Sequence, residues 1–231
     1  TLTPTDPYSP KHARTHRQKA TPTSKTLQRI IHNPEGILSG PVLISGGVLA
    51  CAGTAIGLKK LDYDRIAQVG ILSASFFVAS LIHVPLGPAN VHLIMNGILG
   101  LLLGWTAFPV IVVALLMQGV FFQFGGITTL GVNTVIMALP AVICFYLFAP
   151  MLNRRPKIAF AAAFCCGFCA VFFGALLVGL ALMFTEKNFF GIAALVVAAH
   201  FPVMIIEGLV TAFCVQFLNR VRPDMLPGNN K

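Results

Sequence analysis

Long apolar runs separated by short polar stretches make up the chain from about residue 41 onward. Apolar positions follow one another without the strict alternation of a barrel strand, which indicates helices. A helix rises about 1.5 Å per residue, so about 20 apolar residues cross the roughly 30 Å hydrocarbon layer of a bilayer. The runs predict seven membrane-spanning segments, at about 41–58, 66–84, 93–106, 108–122, 132–151, 158–184 and 191–219.

The third and fourth segments are short, and little more than Gly104, Trp105 and Thr106 separates them. A second interpretation, with six segments and one bent or re-entrant hairpin, therefore stays open beside the first. The predicted fold class is an all-α integral membrane protein with about seven transmembrane helices.

The composition supports this fold class. Hydrophobic residues make up 56% of the chain and charged residues 10%, and the mean hydropathy is +0.83. A soluble domain is excluded, because most of its surface would have to be apolar. All six cysteines lie within the apolar runs, which favours neither a disulfide framework nor a soluble zinc site. We interpret the closely spaced Cys166 and Cys169 as helix-packing thiols, since no second pair accompanies them.

The first 30 residues differ sharply from the rest of the chain. They hold four prolines and six lysines or arginines against one acid, Asp6. Such a segment cannot bury a core, and we predict a disordered basic extension. The chain then divides into this extension at 1–30, a transmembrane domain at 31–219 and a cytoplasmic C-terminal tail at 220–231.

The placement of Lys and Arg predicts the orientation. With seven alternating segments, the loops 59–65 and 152–157 and the C-terminal tail share one side, and Lys187 is the basic residue in the loops of the other side. The positive-inside rule makes the first side cytoplasmic. The basic extension would then lie outside, where the rule disfavours it. The outward-facing elements would be His32 and the loops 84–92, 123–131 and 185–190.

Two histidines beside tight turns, His32 and His92, are the main candidates for chemistry. Each lies just outside an apolar run, and the predicted topology places both at the outer surface. Neutral imidazoles there are suitable donors for a borderline metal ion. Further polar residues are candidates for supporting such a site or lining its pocket: His83, Asn90, Asn96, Thr128 and Asn133.

Glu207 is the one acid within an apolar run, and His200 lies seven residues earlier on the same helix face. Acids inside the membrane are costly and usually face the interior of a bundle or a cavity. Two interpretations stay open: a polar relay formed by His200 and Glu207 beneath the metal site, or a hydrogen bond that locks two helices together.

Several motifs resemble, in the right order, those of the cobalt/nickel energy-coupling-factor transporter capture subunits, the CbiM/NikM family. The resemblance covers nearly everything from Ile31 to about Leu218. The motifs are Ile31-His32-Asn33-Pro34-Glu35-Gly36-Ile37-Leu38-Ser39, Ser80-Leu81-Ile82-His83-Val84-Pro85-Leu86-Gly87-Pro88, Val91-His92-Leu93, Asn96-Gly97, Gly125-Gly126-Ile127-Thr128-Thr129-Leu130-Gly131-Val132-Asn133, His200-Phe201-Pro202 and Glu207-Gly208.

The resemblance implies a capture subunit for Ni²⁺ or Co²⁺ in a bacterial or archaeal cytoplasmic membrane, with the fold of six helices plus an extra N-terminal one. The metal would be transported, not permanently bound. Its nearly planar nitrogen site would use the amine at position 31, the amide and imidazole of His32, and His92. Implied partners are a membrane coupling subunit, cytoplasmic ATPase subunits and a small accessory membrane subunit, but no nucleic acid. The chain itself has no P-loop motif.

The sequence departs from the family pattern at the site itself. Ile31 stands where the family has Met, Asn33 also differs, and thirty residues precede the site, so the nitrogen of Ile31 is not a free amine. Three explanations are open: cleavage before Ile31, translation from Ile31, or an extension with altered ligation. Two alternative functions are the same fold without metal capture and, from another class, a membrane enzyme using His32 and His92 as bases.

Overall fold

The computed structural model describes residues 38–81, 83–86, 89–92, 95–122, 125–184 and 190–227. These ranges hold seven α-helices and one two-stranded antiparallel ladder. The elements are α1 (Gly40–Lys59), α2 (Ile66–Ser80), β1 (His83–Leu86), β2 (Ala89–His92), α3 (Asn96–Leu103), α4 (Ala107–Phe122), α5 (Leu130–Phe148), α6 (Pro156–Met183) and α7 (Phe190–Val221).

Five stretches of the described residues are long and apolar enough to cross a membrane: Gly40–Lys59, Asn96–Phe122, Leu130–Met151, Pro156–Met183 and Val196–Val221. Helix α2 has 15 residues and falls below that length. The multi-pass helical architecture is therefore confirmed, while the count of seven complete crossings stays a prediction.

The stretch Asn96–Phe122 is not one straight helix, because the chain bends sharply after α3. Gly104 has φ +53, a backbone conformation that glycine adopts without steric cost, and it opens a short 3₁₀ turn. Helix α3 runs in the same direction as α5. A Cβ at Gly100 would meet the backbone of Ala141, and one at Gly104 would meet the ring of Phe145.

Helix α4 runs the opposite way. At its start, Pro109 lies against Gly57 near the end of α1. Near its end, Gln118 donates a hydrogen bond to Ser80, the last residue of α2. Because α2 begins where α1 ends, these two contacts lie at opposite ends of the bundle. The third and fourth predicted segments are thus antiparallel, although the eight residues of α3 span only about 12 Å.

The predicted bounds of the second and third segments differ from the structure at the link between α2 and α3. The second predicted segment extends to residue 84, but the helix ends at Ser80, and the third begins at Asn96 instead of 93. Between them lies the ladder of β1 and β2. Pro85 and Pro88 oppose a helix here, because proline lacks an amide donor and disfavours helical geometry in the residue before it.

The end of the bundle where α1, α3, α5 and α7 finish is basic, and we call it the basic end. Here the Lys60 ammonium lies 5.6 Å from the centroid of the Trp105 ring, whose Nε1 donates to the hydroxyl of Tyr146 at 3.0 Å. All lysines and arginines within the described ranges are near this end: Lys59, Lys60, Arg65, Arg154, Arg155, Lys157, Arg220 and Arg222.

The segment after α7 packs onto the same end. Arg65 Nη2 donates to the backbone oxygen of Asp224 at 3.3 Å, and Asn153 Nδ2 donates to that of Pro227 at 3.1 Å. The Arg222 guanidinium, 2.9 Å from the carboxylate of Asp224, donates hydrogen bonds that hold the pKa of this exposed acid below its ordinary value. Leu226 is buried in the core.

Backbones approach closely where α3, α6 and α7 meet. A Cβ at Gly97 would lie 2.5 Å from the Cα of Gly167. A Cβ at Gly167 would lie 2.5 Å from the backbone oxygen of Glu207 and 2.6 Å from Thr211 Oγ1. Glycine lets helices pack this closely, as small residues do generally in membrane bundles.

We expect Gly167→Ala to lower the free energy of unfolding by about 1–3 kcal/mol, because backbone atoms must move to admit the methyl group. Gly70→Ala in α2 is the matched control, since a Cβ there would meet no atom within 4 Å. Thermal unfolding of both variants in the same detergent measures the difference. Equal stability of the two variants would contradict the tight contact.

Candidate functional site

The end opposite the basic end gathers four parts of the chain, and we call it the hairpin end. The start of α1 meets the end of α6, where Ser39 Oγ lies 3.5 Å from the backbone oxygen of Phe184. The start of α5 packs on α1, since a Cβ at Gly131 would meet Gly47. The ladder of β1 and β2 follows α2 at this end.

The ladder brings two candidate histidines into register. His83 and His92 are directly opposite each other, as are Pro85 and Asn90. Directly opposite residues of an antiparallel pair have Cα atoms about 4.5–5.5 Å apart. Residues of α7 also contact β2. The structure thus pairs the position of His83, a predicted supporting residue, with that of His92, a predicted ligand.

The sequence did contain a signal for this pairing. His83 and His92 lie at equal distances from the dipeptide Gly87-Pro88, a turn signal, with β-branched Val84 and Val91 beside them. Each flank is four residues long, which is short for a strand. The long apolar run before His83 instead favours a helix that continues to residue 84, followed by a loop.

The predicted ligands Ile31 and His32 lie outside the described residues. Within the described part of the chain, no group of three or more His, Cys, Asp or Glu residues could hold a metal ion. The ligand set of Ile31, His32 and His92 therefore stays a prediction.

The turn before α5 is built around Asn133. Its Nδ2 donates to the backbone oxygen of Gly125 at 3.1 Å and lies 3.3 Å from Thr129 Oγ1. The hydroxyl of Thr129, which is buried, also donates to Gly125. Gly125 and Gly126 have φ +82 and +68, conformations that favour glycine. Of the two predicted pocket candidates here, Thr128 is exposed and Asn133 bonds the backbone of the turn. Thr129, which was not among the candidates, bonds the same backbone oxygen.

Glu207 is fully buried and joins α7 to the residue that precedes α3. Its Oε1 accepts a hydrogen bond from the backbone N–H of Met95 at 2.7 Å. The neighbouring Asn96 is 2% exposed, and neither its Oδ1 nor Thr211 Oγ1 has a hydrogen-bond partner among the described residues. Glu207 thus links α7 to the residue before α3 through a hydrogen bond.

His200 lies about two turns before Glu207 on α7. Its Nδ1 is 2.7 Å from the backbone oxygen of Val196, and because a carbonyl only accepts, Nδ1 carries the hydrogen. This bond occupies one ring nitrogen within its own helix. The relay from His200 to Glu207 stays a prediction.

A family model described as "Cobalt uptake substrate-specific transmembrane region", CbiM, matches residues 32–225. The chain belongs to this family. It is therefore a cobalt/nickel transport component, a multi-pass membrane protein and not an enzyme, and the metal is its substrate. The resemblance seen in the sequence is confirmed.

Relatives agree with this assignment. The chain is 39% identical to a Haemophilus influenzae protein named for metal transport, over 85% of this chain and 97% of that protein. It is 29% identical to the cobalt transport protein CbiM of Sorangium cellulosum, over 85% and 94% of the two chains. A crystal structure of a transition metal transporter has the same fold, with a TM-score of 0.68 and 23% identity over 81% of this chain and 92% of that one.

We expect Asn133→Ala to lower the free energy of unfolding by about 1 kcal/mol, because the turn loses the amide that holds it. Thr128→Ala is the control, being exposed on the same turn. Hydrogen exchange should speed up across 125–129 in the first variant only. Unchanged exchange in Asn133→Ala would show that the hydroxyl of Thr129 suffices.

Proposed function

We propose that this CbiM-family chain is the substrate-capture subunit of an energy-coupling-factor transporter and binds Ni²⁺ or Co²⁺ at the hairpin end. The observation that carries the proposal is the ladder, which places the predicted ligand His92 at that end and sets the supporting candidate His83 opposite it. Opposite positions of an antiparallel pair share one face of the ladder, so two imidazole-bearing positions are close in space. Imidazole nitrogens suit Ni²⁺ and Co²⁺.

The remaining donors are within reach of the hairpin end. His32 precedes Gly40, the first residue of α1, by eight residues, and eight extended residues span at most about 29 Å. We propose that a free amine at Ile31, the amide and imidazole of His32, and the imidazole of His92 form the metal site. Fused chelate rings through an amine, the next amide and its imidazole enforce a planar arrangement, which favours Ni²⁺ over Zn²⁺.

The orientation follows from charge. The described lysines and arginines lie near the basic end, and the positive-inside rule places such an end in the cytoplasm. The hairpin end would then face outward, where metal arrives. Helices α1 to α7 alternate in direction, which supports seven crossings.

We propose that energy comes from other chains. A membrane coupling subunit and cytoplasmic ATPase subunits would drive release of the metal inward, with a small accessory membrane subunit. The complex would reside in the cytoplasmic membrane of a bacterium or archaeon.

A chain starting at residue 31 and purified in detergent should bind one Ni²⁺ or Co²⁺. His92→Ala should weaken binding by more than the 10–100-fold typical of residues that only orient ligands. Gly70→Ala in α2 is the control, because a Cβ there would meet no atom within 4 Å. Metal content and titration calorimetry at neutral pH provide the measurement, and acid should weaken binding because the ligands must lose protons.

Blocking the free amine at Ile31 tests whether it is a metal ligand. Acetylation of the chain that starts at residue 31 should abolish tight binding, while the unmodified chain retains it. Normal folding without metal binding in every form would support the alternative in which the fold has lost capture.

The orientation predicts which sites a membrane-impermeant maleimide reaches in intact cells. Ile127→Cys, exposed at the hairpin end, should react, and Arg154→Cys, exposed at the basic end, should react only after lysis. The chain with its six native cysteines is the background control. Labelling of Arg154→Cys in intact cells would reverse the proposed orientation.

A further inference from the structure

We propose that Glu207 is a positioning residue for metal capture: from α7 it holds the backbone that leaves the hairpin and so sets the place of His92. The inference rests on the proposed function, because it concerns the affinity of that site. It differs from a relay, since the role rests on the hydrogen bond that Glu207 Oε1 accepts from the backbone and involves no proton transfer.

The carboxylate binds a backbone position that is close in sequence to the candidate ligand His92. Glu207 Oε1 accepts from the N–H of Met95 at 2.7 Å, and Met95 lies three residues after His92. Three residues span at most about 11 Å, so a fixed Met95 restricts where His92 can be. The backbone at Met95 needs this support, because its φ of +52 is uncommon for a residue with a side chain.

The backbone that carries Glu207 is closely packed. Glu207 is fully buried. Its backbone oxygen lies where a Cβ on Gly167 would clash, so α6 and α7 are in close contact at this turn. Gly97, at the start of α3, packs on the same glycine. The backbone that carries the carboxylate therefore has little room to shift. The contact of α7 with β2 shows that the ladder lies beside this helix.

The burial of this acid also requires an explanation. Acids in apolar segments are costly and persist where they have a specific partner or role. The hydrogen bond joins residues 112 positions apart and connects α7 with the junction between the ladder and α3. It ties the part of the chain that carries His92 to the place where α6 and α7 approach closely.

The test compares three variants of the full transmembrane chain starting at residue 31. Glu207→Gln keeps an oxygen at the same place, and Glu207→Leu removes the acceptor. Thr211→Val is the matched control, because Thr211 is equally buried one turn later and does not contact Met95 through a hydrogen bond. Thermal unfolding checks that each variant is folded.

The first readout needs no metal. Hydrogen exchange of metal-free protein should speed up at least about tenfold across 89–95 in Glu207→Leu and stay unchanged in Glu207→Gln and Thr211→Val. In the wild type, the Met95 amide should be well protected. Rapid exchange of that amide in the wild type would overturn the proposal even if Glu207→Leu did not fold.

The second readout is Ni²⁺ affinity. Glu207→Leu should bind about 10–100-fold more weakly, as when residues that orient a ligand are removed, whereas Glu207→Gln and Thr211→Val should stay within about threefold. Wild-type affinity in a folded Glu207→Leu would sink the idea, as would an equal loss in Glu207→Gln. If no form binds metal while the exchange pattern appears, the proposed function fails and the positioning of the hairpin exit stands.

Discussion

Close approach of backbones around α3 is the constraint on which the rest of the structure depends. Gly97 lies against Gly167 of α6, and Gly100 lies against Ala141 of α5. A helix of eight residues cannot be stable on its own, so its neighbours must hold it. Since α3 joins the ladder to the turn at Gly104, these contacts determine the position of the ladder along the bundle axis. They also determine the direction in which α4 begins.

The two ends of the bundle differ in charge and in backbone structure. The described cations cluster where α1, α3, α5 and α7 end, and the segment after α7 is hydrogen-bonded across this surface. The opposite end instead carries glycine-rich turns and the ladder, whose backbone lies outside any helix. Non-helical backbone is tolerated at a membrane only where protein or water satisfies its hydrogen-bonding groups. Pairing β1 with β2 satisfies part of that need, and Glu207 satisfies the N–H of Met95.

The candidate site was only partly visible in the sequence. His92 could be chosen because it lies beside a turn outside an apolar run, and the family motifs support the choice. Its pairing with His83 has a weaker signal, because two strands of four residues are short beside the long apolar run that precedes them. Asn133, a predicted pocket candidate, donates a hydrogen bond to the backbone of Gly125 in its own turn, where Gly125 and Gly126 have positive φ values.

The sequence by itself determined the membrane class, most helices and the charge asymmetry, because hydropathy and Lys/Arg placement are local properties that a bilayer reads directly. The order of the motifs was enough to recognise the family. Tertiary structure decided that α3 packs closely on α5 and α6 and that Glu207 accepts a hydrogen bond from Met95. These features join residues far apart in the chain, and they exist only once glycine-lined helices have packed, so no local pattern encodes them.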